Sequence, residues 1–149
     1  MHDQRDCEHL LPPISYARPP QGHRTTRTWH LASTRDLAGM RAGVAKAVSG
    51  GTSKASLDEL VLIVSELATN ALRHGGGTAT VHLGVDDESY LLEVVDQAPE
   101  SPPHVAADRG TGDGGFGLVL ALGVAREVGW YRTESSKVVW SVHDAPASP

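Results

Sequence analysis

The sequence predicts an α+β domain, a two-layer α/β sandwich whose mixed, mainly antiparallel sheet carries its helices on one face. Three observations predict it. Residues 57–74 lie in the longest run free of Gly and Pro, with apolar side chains recurring at helical spacing. Residues 78–85 alternate apolar and polar side chains, and after a short polar link the largely apolar residues 90–95 run back as the second arm of a hairpin. After a further helical stretch, residues 129–133 and 137–142 repeat that two-armed pattern.

Residues 1–26 hold Pro12, Pro13, Pro19, Pro20 and Gly22 among charges without apolar periodicity, and are expected to form a flexible arm. The domain proper is expected over residues 27–143, with residues 144–149 as a loose Pro- and Ala-rich tail. Thr28, Trp29, His30 and Leu31 suit a short strand over 27–31. Ser33 or Thr34 can then cap a helix over 35–48, striped by Leu37, Met40, Val44 and Val48 and ended by Gly50 and Gly51.

Ser53 or Ser56 opens the central helix, 57–74, which stops before Gly75, Gly76 and Gly77. Leu57, Leu60, Val61, Val64, Ala68, Ala71 and Leu72 share one arc and are expected to face the core. On the other side Leu62, Ile63 and Leu67 flank a narrow polar strip made by Glu66 and Asn70, one helical turn apart. Two readings of that strip stay open. It fits the solvated side of a half-buried helix, and it fits a carboxylate and an amide presented together into a partly apolar pocket.

The first hairpin turns at residues 86–89 and ends at Asp96, at the carboxyl end of its second strand. A long loop over 97–115 follows, with Pro99, Pro102 and Pro103 early and Gly110, Gly112, Gly114 and Gly115 late. A helix over 116–128 shows Leu118, Val119, Leu122, Val124 and Ala125, and crosses to the closing hairpin.

At 149 residues and 40% hydrophobic content the chain suits a single domain. A formal charge of −5 argues against direct nucleic-acid binding. Cys7 is the single cysteine, and no secretory or membrane-length apolar run is present, so no disulfide and a cytoplasmic location are expected. The eight His residues are scattered without paired ligand spacing, which argues against a structural metal.

The loop at 97–115 is longer than a connection needs, and such loops are either lids or flexible links. Its glycines open a helix at Gly115-Phe116-Gly117-Leu118, where unpaired N–H groups suit a phosphate. The dinucleotide pattern matches twice, at Gly110, Gly112, Gly115 and at Gly112, Gly114, Gly117. Both matches are weak, because the fingerprint needs a strand running straight into the glycines. No Gly-Lys-Ser or Gly-Lys-Thr follows them, which excludes a Walker A loop.

Glu66-x-x-x-Asn70, then Asp96, then Gly110-x-Gly112 and Gly115-Phe116-Gly117-Leu118 resemble the N box and glycine boxes of the GHKL ATPases, the superfamily of gyrase, heat-shock chaperones and histidine kinases. Within it, Val-Ser-Glu-Leu-Ala-Thr-Asn-Ala-Leu-Arg-His at 64–74 and Lys-Val-Val-Trp at 137–140 resemble the small bacterial anti-sigma-factor serine kinases and their stand-alone ATP-binding relatives. The resemblance spans residues 28–143 and implies a Bergerat-type ATP-binding fold.

It further implies that Asn70 holds Mg²⁺, that Glu66 is the general base, and that Asp96 accepts a hydrogen bond from the adenine amino group. Residues 110–118, with Gly110, Gly112, Gly115, Phe116, Gly117 and Leu118, would cradle the phosphates of ATP under a lid formed by 97–113. Arg73 and His74 either line the pocket or are simply exposed cations at the helix end.

Two positions depart from the family pattern: Ala98 replaces a glycine two residues after the aspartate, and Phe116 stands where kinase-like members often have Arg. The implied function is a Mg·ATP-binding regulator, an anti-sigma factor and protein serine kinase acting on an antagonist protein. The alternative is a non-catalytic, nucleotide-dependent protein-binding module. Implied partners are a sigma factor, its antagonist, or a second copy in a homodimer.

Overall fold

A computed structural model describes residues 14–100, 103, 121 and 123–145. The strands are β1 (Ser15–Tyr16), β2 (Arg24–Leu31), β3 (Ala79–Val85), β4 (Ser89–Asp96), β5 (Glu127–Arg132) and β6 (Lys137–Asp144). They make one six-stranded sheet in the order β1-β5-β6-β4-β3-β2. The β1–β5 pairing is parallel and all others are antiparallel. Between β2 and β3 lie a single 3₁₀ turn, Thr34–Asp36, then helices α1 (Leu37–Val48) and α2 (Lys54–His74).

The sequence dictates these elements locally. Ser33 Oγ accepts from Arg35 N–H while the Asp36 carboxylate accepts from the N–H of Ala32 and Ser33, a reciprocal cap that opens the first helical segment. Ser53 Oγ accepts from Ser56 N–H at 3.1 Å and starts α2. Asp86 closes the β3–β4 turn by accepting from the N–H of Glu88 and Ser89 and from Ser89 Oγ.

One face of the sheet carries both helices. Val81 and Leu83 of β3, Leu92 and Val94 of β4, and Val139 of β6 share a core with the apolar stripes of α1 and α2. The α1 stripe is Leu37, Met40, Val44 and Val48, as its spacing predicts. The Trp29 indole of β2 can approach α1 closely because Gly43 has no side chain; a Cβ there would come 2.6 Å from the indole nitrogen.

The α2 stripe corrects the sequence expectation. Ile63 and Leu67, expected beside the polar strip, are buried with Leu60, Val64, Ala68, Ala71 and Leu72, whereas Leu57 and Val61 are only half-buried. The helix packs against α1 and the sheet together, so its buried stripe is wide and turned toward the Glu66 side. Leu62 alone of the three flanking residues stays exposed.

The ends of the domain differ too. The expected arm over 1–26 contains β1 and the first residues of β2, and residues 1–13 lie outside the described ones. Glu127 and Val128, expected in the crossover helix, begin β5, and β6 continues through Asp144, where the expected tail began. Register explains both, since Glu127 pairs with Val142 and Ser89 with Asp144. Of the crossover helix, Ala121, Gly123 and Val124 are described and helical, with Ala121 in the core. Among the described residues no helix is long and apolar enough to cross a membrane.

The second face is covered in part by the chain itself, while Thr28 and His30 of β2 stay exposed on it. β1 and β2 sit at opposite edges, five interstrand steps apart, or about 24 Å. The eight Cα steps from Tyr16 to Arg24 span at most about 26–29 Å, so residues 17–23 must cross the sheet nearly extended. Pro19 and Pro20 suit that conformation. The contacts trace the crossing: Trp140 Nε1 donates to Ala17 O at 2.8 Å, the Arg18 guanidinium lies 4.3 Å from the Tyr131 ring centre, and His23 Nε2 lies 2.7 Å from Ser89 Oγ.

Beneath this strap Leu91, Trp140 and Val142 form a second small core, with Val142 fully buried. Gly129 makes room for the Trp140 indole, which a Cβ at 129 would overlap. Gly129→Ala should therefore displace the indole and destabilise the domain by about 1–3 kcal/mol, read in urea melts.

On the helix face, buried His143 has its Nε2 2.7 Å from Ser141 Oγ, and burial lowers its pKa to about 4, with Asp144 opposing. A folded value below the unfolded one gives stability that is complete above the ordinary histidine range and is lost as pH falls toward 4. At pH 5 the loss should be about 2 kcal/mol. His143→Gln should flatten that part of the pH–stability curve, measured as the difference between urea melts of the two proteins.

Candidate functional site

The end of α2 and the end of β4 are joined. Gly75 N–H donates to Ala71 O at 2.8 Å and caps the helix, and its carbonyl accepts from Gln97 N–H at 2.9 Å. A Cβ on Gly75 would stand 2.5 Å from Cβ and Cγ of Asp96. Only glycine permits this approach. Gly76 and Gly77, both at positive φ, then turn the chain into β3.

Asp96 is 4% exposed. Its Oδ1 accepts from Ala98 N–H at 2.8 Å, and its Oδ2 lies 3.4 Å from Nζ of Lys137, directly opposite in the β4–β6 register. Both side chains are buried. Burial pushes the Asp96 carboxyl above the usual Asp value, while the Ala98 N–H and the Lys137 ammonium pull it back. Ala98, flagged as a departure, thus serves through its backbone. Lys137 was not among the sequence candidates, because its pairing with Asp96 depends on two hairpins meeting.

Glu66 and Asn70 are half-buried and lie along the Ile63–Leu67 edge of the α2 stripe. Asn70 precedes Gly75 by five residues, about 7–8 Å along the axis, and Glu66 is one turn further. The carboxylate and the amide therefore share one helix flank that leads to the Asp96 corner. The same flank continues to Glu59, where a cleft of about 150 Å³ is lined by Thr52, Glu59, Tyr90, His143 and, across it, Val124 of the crossover helix. Arg73 and His74 are exposed on the last turn. Gly110, Gly112, Gly115, Phe116, Gly117 and Leu118 lie outside the described residues. Among the described residues no three His, Cys, Asp or Glu side chains converge as a metal site.

The joined helix and strand ends fall inside a family match: a model of the histidine kinase-like ATPase domain matches residues 31–142. The chain belongs to this family. The match takes in α1, α2 and β3 to β5, with β6 as far as Val142, and begins after β1 and the strap. No curated protein matches the chain. In this histidine kinase-like ATPase domain, then, the helix that bears Glu66 and Asn70 meets the strand-end aspartate at a glycine contact.

Gly75→Ala tests that contact. It should lower stability by about 1–3 kcal/mol in urea melts, since neither Asp96 nor the Ala71 carbonyl can retreat without moving backbone. Gly39→Ala, in α1 with nothing within 4 Å of the new Cβ, should be neutral or stabilising.

Proposed function

We propose that the protein binds Mg·ATP between the N-box flank of α2 and the Asp96 corner, and uses the nucleotide to regulate a partner protein. The observation that carries this is the burial of Asp96 at the end of the helix that bears Glu66 and Asn70, within the residues the ATPase family matches. A buried carboxylate with remaining lone pairs suits the amino group of adenine.

The residues fit a magnesium ion. Mg²⁺ takes one or two protein oxygens and completes its octahedron with waters and phosphate, and a half-buried amide oxygen at Asn70 is such a ligand. Bound there, the ion would neutralise phosphate charge. Glu66, one turn away, is the candidate to take the proton from an attacking hydroxyl or water. The glycine segment would close over the phosphates.

The regulated partner is, on this proposal, a sigma factor or its antagonist protein, the latter phosphorylated on serine. Self-association as a homodimer belongs to the same proposal. The resemblance of residues 64–74 and 137–140 to the anti-sigma-factor kinases supports it. Phe116 in place of an arginine favours a second reading, a nucleotide-dependent binding module without phosphoryl transfer.

Mg·ATP at about a hundredfold excess over its dissociation constant should add about 2.7 kcal/mol of stability and raise the melting midpoint by roughly 5–11 °C. Asn70→Ala should abolish the metal-dependent part of that rise. Glu66→Ala should keep ATP binding but reduce any turnover by about 10²-fold or more. Turnover indifferent to Glu66 rejects its role as base, and binding without turnover selects the second reading.

A further inference from the structure

Asp96 has two neighbours of different character. Ala98 fixes the direction of one oxygen through its N–H, a contact that a protonated or an ionised carboxyl could keep. Lys137 faces the other oxygen with a full positive charge, from a side chain as buried as that of Asp96 itself. Buried pairs of this kind are costly to assemble and contribute little to net stability. Replacing such a pair by apolar groups is often neutral, so the pair invites a functional explanation.

The chemistry of the base supplies one. A purine with an amino group at C6 offers a donor there, whereas a 6-keto purine offers an acceptor. An ionised carboxylate can only accept, but a protonated one can donate and would lose the distinction. We propose that Lys137 is a positioning residue of the nucleobase pocket: its ion pair holds Asp96 as an acceptor-only group, and so selects a 6-amino over a 6-keto purine nucleotide. This deepens the ATP-binding proposal and rests on it.

The surroundings agree. Among the described residues, Lys137 on β6 is the charged group that acts on Asp96; α2 presents the backbone of Gly75, and its charged last-turn residues, Arg73 and His74, are exposed. Burial already drives Asp96 toward the protonated form, with Lys137 opposing. Loss of the ammonium leaves the burial effect opposed by the Ala98 N–H alone.

The test compares ATP with ITP, which differ in the C6 amino and keto groups, by calorimetric titration of the full chain with magnesium between pH 6 and pH 9. The wild type should prefer ATP by about tenfold or more, with a ratio that hardly changes from pH 7 to pH 9. Lys137→Met should lose ATP affinity as pH falls, and its ATP-over-ITP ratio should shrink in the same direction. Lys137→Arg should restore the flat ratio. A folded Lys137→Met with wild-type preference at every pH overturns the proposal, as does a wild type that binds ITP as well as ATP. In wild-type protein the Asp96 carboxyl carbon should show no titration between pH 9 and pH 7 by NMR, and proton uptake in that window also overturns it, whether or not the variants fold. Failure of the wild type to bind either nucleotide refutes the ATP site itself, and the Lys137 role with it.

Discussion

The pairing of β4 with β6 supports the rest of the molecule. Eight residue pairs, from Ser89 with Asp144 to Asp96 with Lys137, join the two hairpins into one sheet. Such a long-range contact must repay the entropy of closing a long loop, and it does so by burial on both faces. Leu92, Val94 and Val139 point into the helix-side core, while Leu91, Trp140 and Val142 point the other way. The last pair of the same ladder sets Lys137 against Asp96. Fold and candidate site thus share one interaction.

A sheet with helices on one face leaves the other open, and here seven residues cover the part of it that holds Leu91, Trp140 and Val142. The strap over 17–23 is barely long enough for its span, so it has little freedom to lie anywhere else. Trp140 holds its start and His23 its end. Beneath it burial raises the pKa of Glu93, which His82 and His23 oppose, so the strap changes electrostatics as well as packing. It precedes the residues matched by the histidine kinase-like ATPase family.

The candidate site was legible where its geometry is local. Glu66 and Asn70 stand one turn apart because any helix places them so, and Asp96 ends a strand because the apolar run of residues 90–95 stops there. The position of the α2 stripe was less legible: apolar residues occupy more of the helix than one arc, and only the presence of α1 beside the sheet decides that Ile63 and Leu67 go in while Leu62 stays out. Gly75 read as a helix stop. Its second duty, making room for Asp96, depends on where β4 ends in space.

By itself, then, the sequence determined the order of the main helices and strands, the one-turn spacing of Glu66 and Asn70 and the place of Asp96 at a strand end, since each follows from periodicity, capping and turn chemistry within a few residues. Tertiary structure alone decided that residues 15–16 join the far edge of the sheet, that 17–23 cross it, and that Lys137 faces Asp96. Those outcomes depend on the register between strands far apart in the chain. Register is fixed by which faces become buried together, a property of the assembled sheet that no local stretch contains.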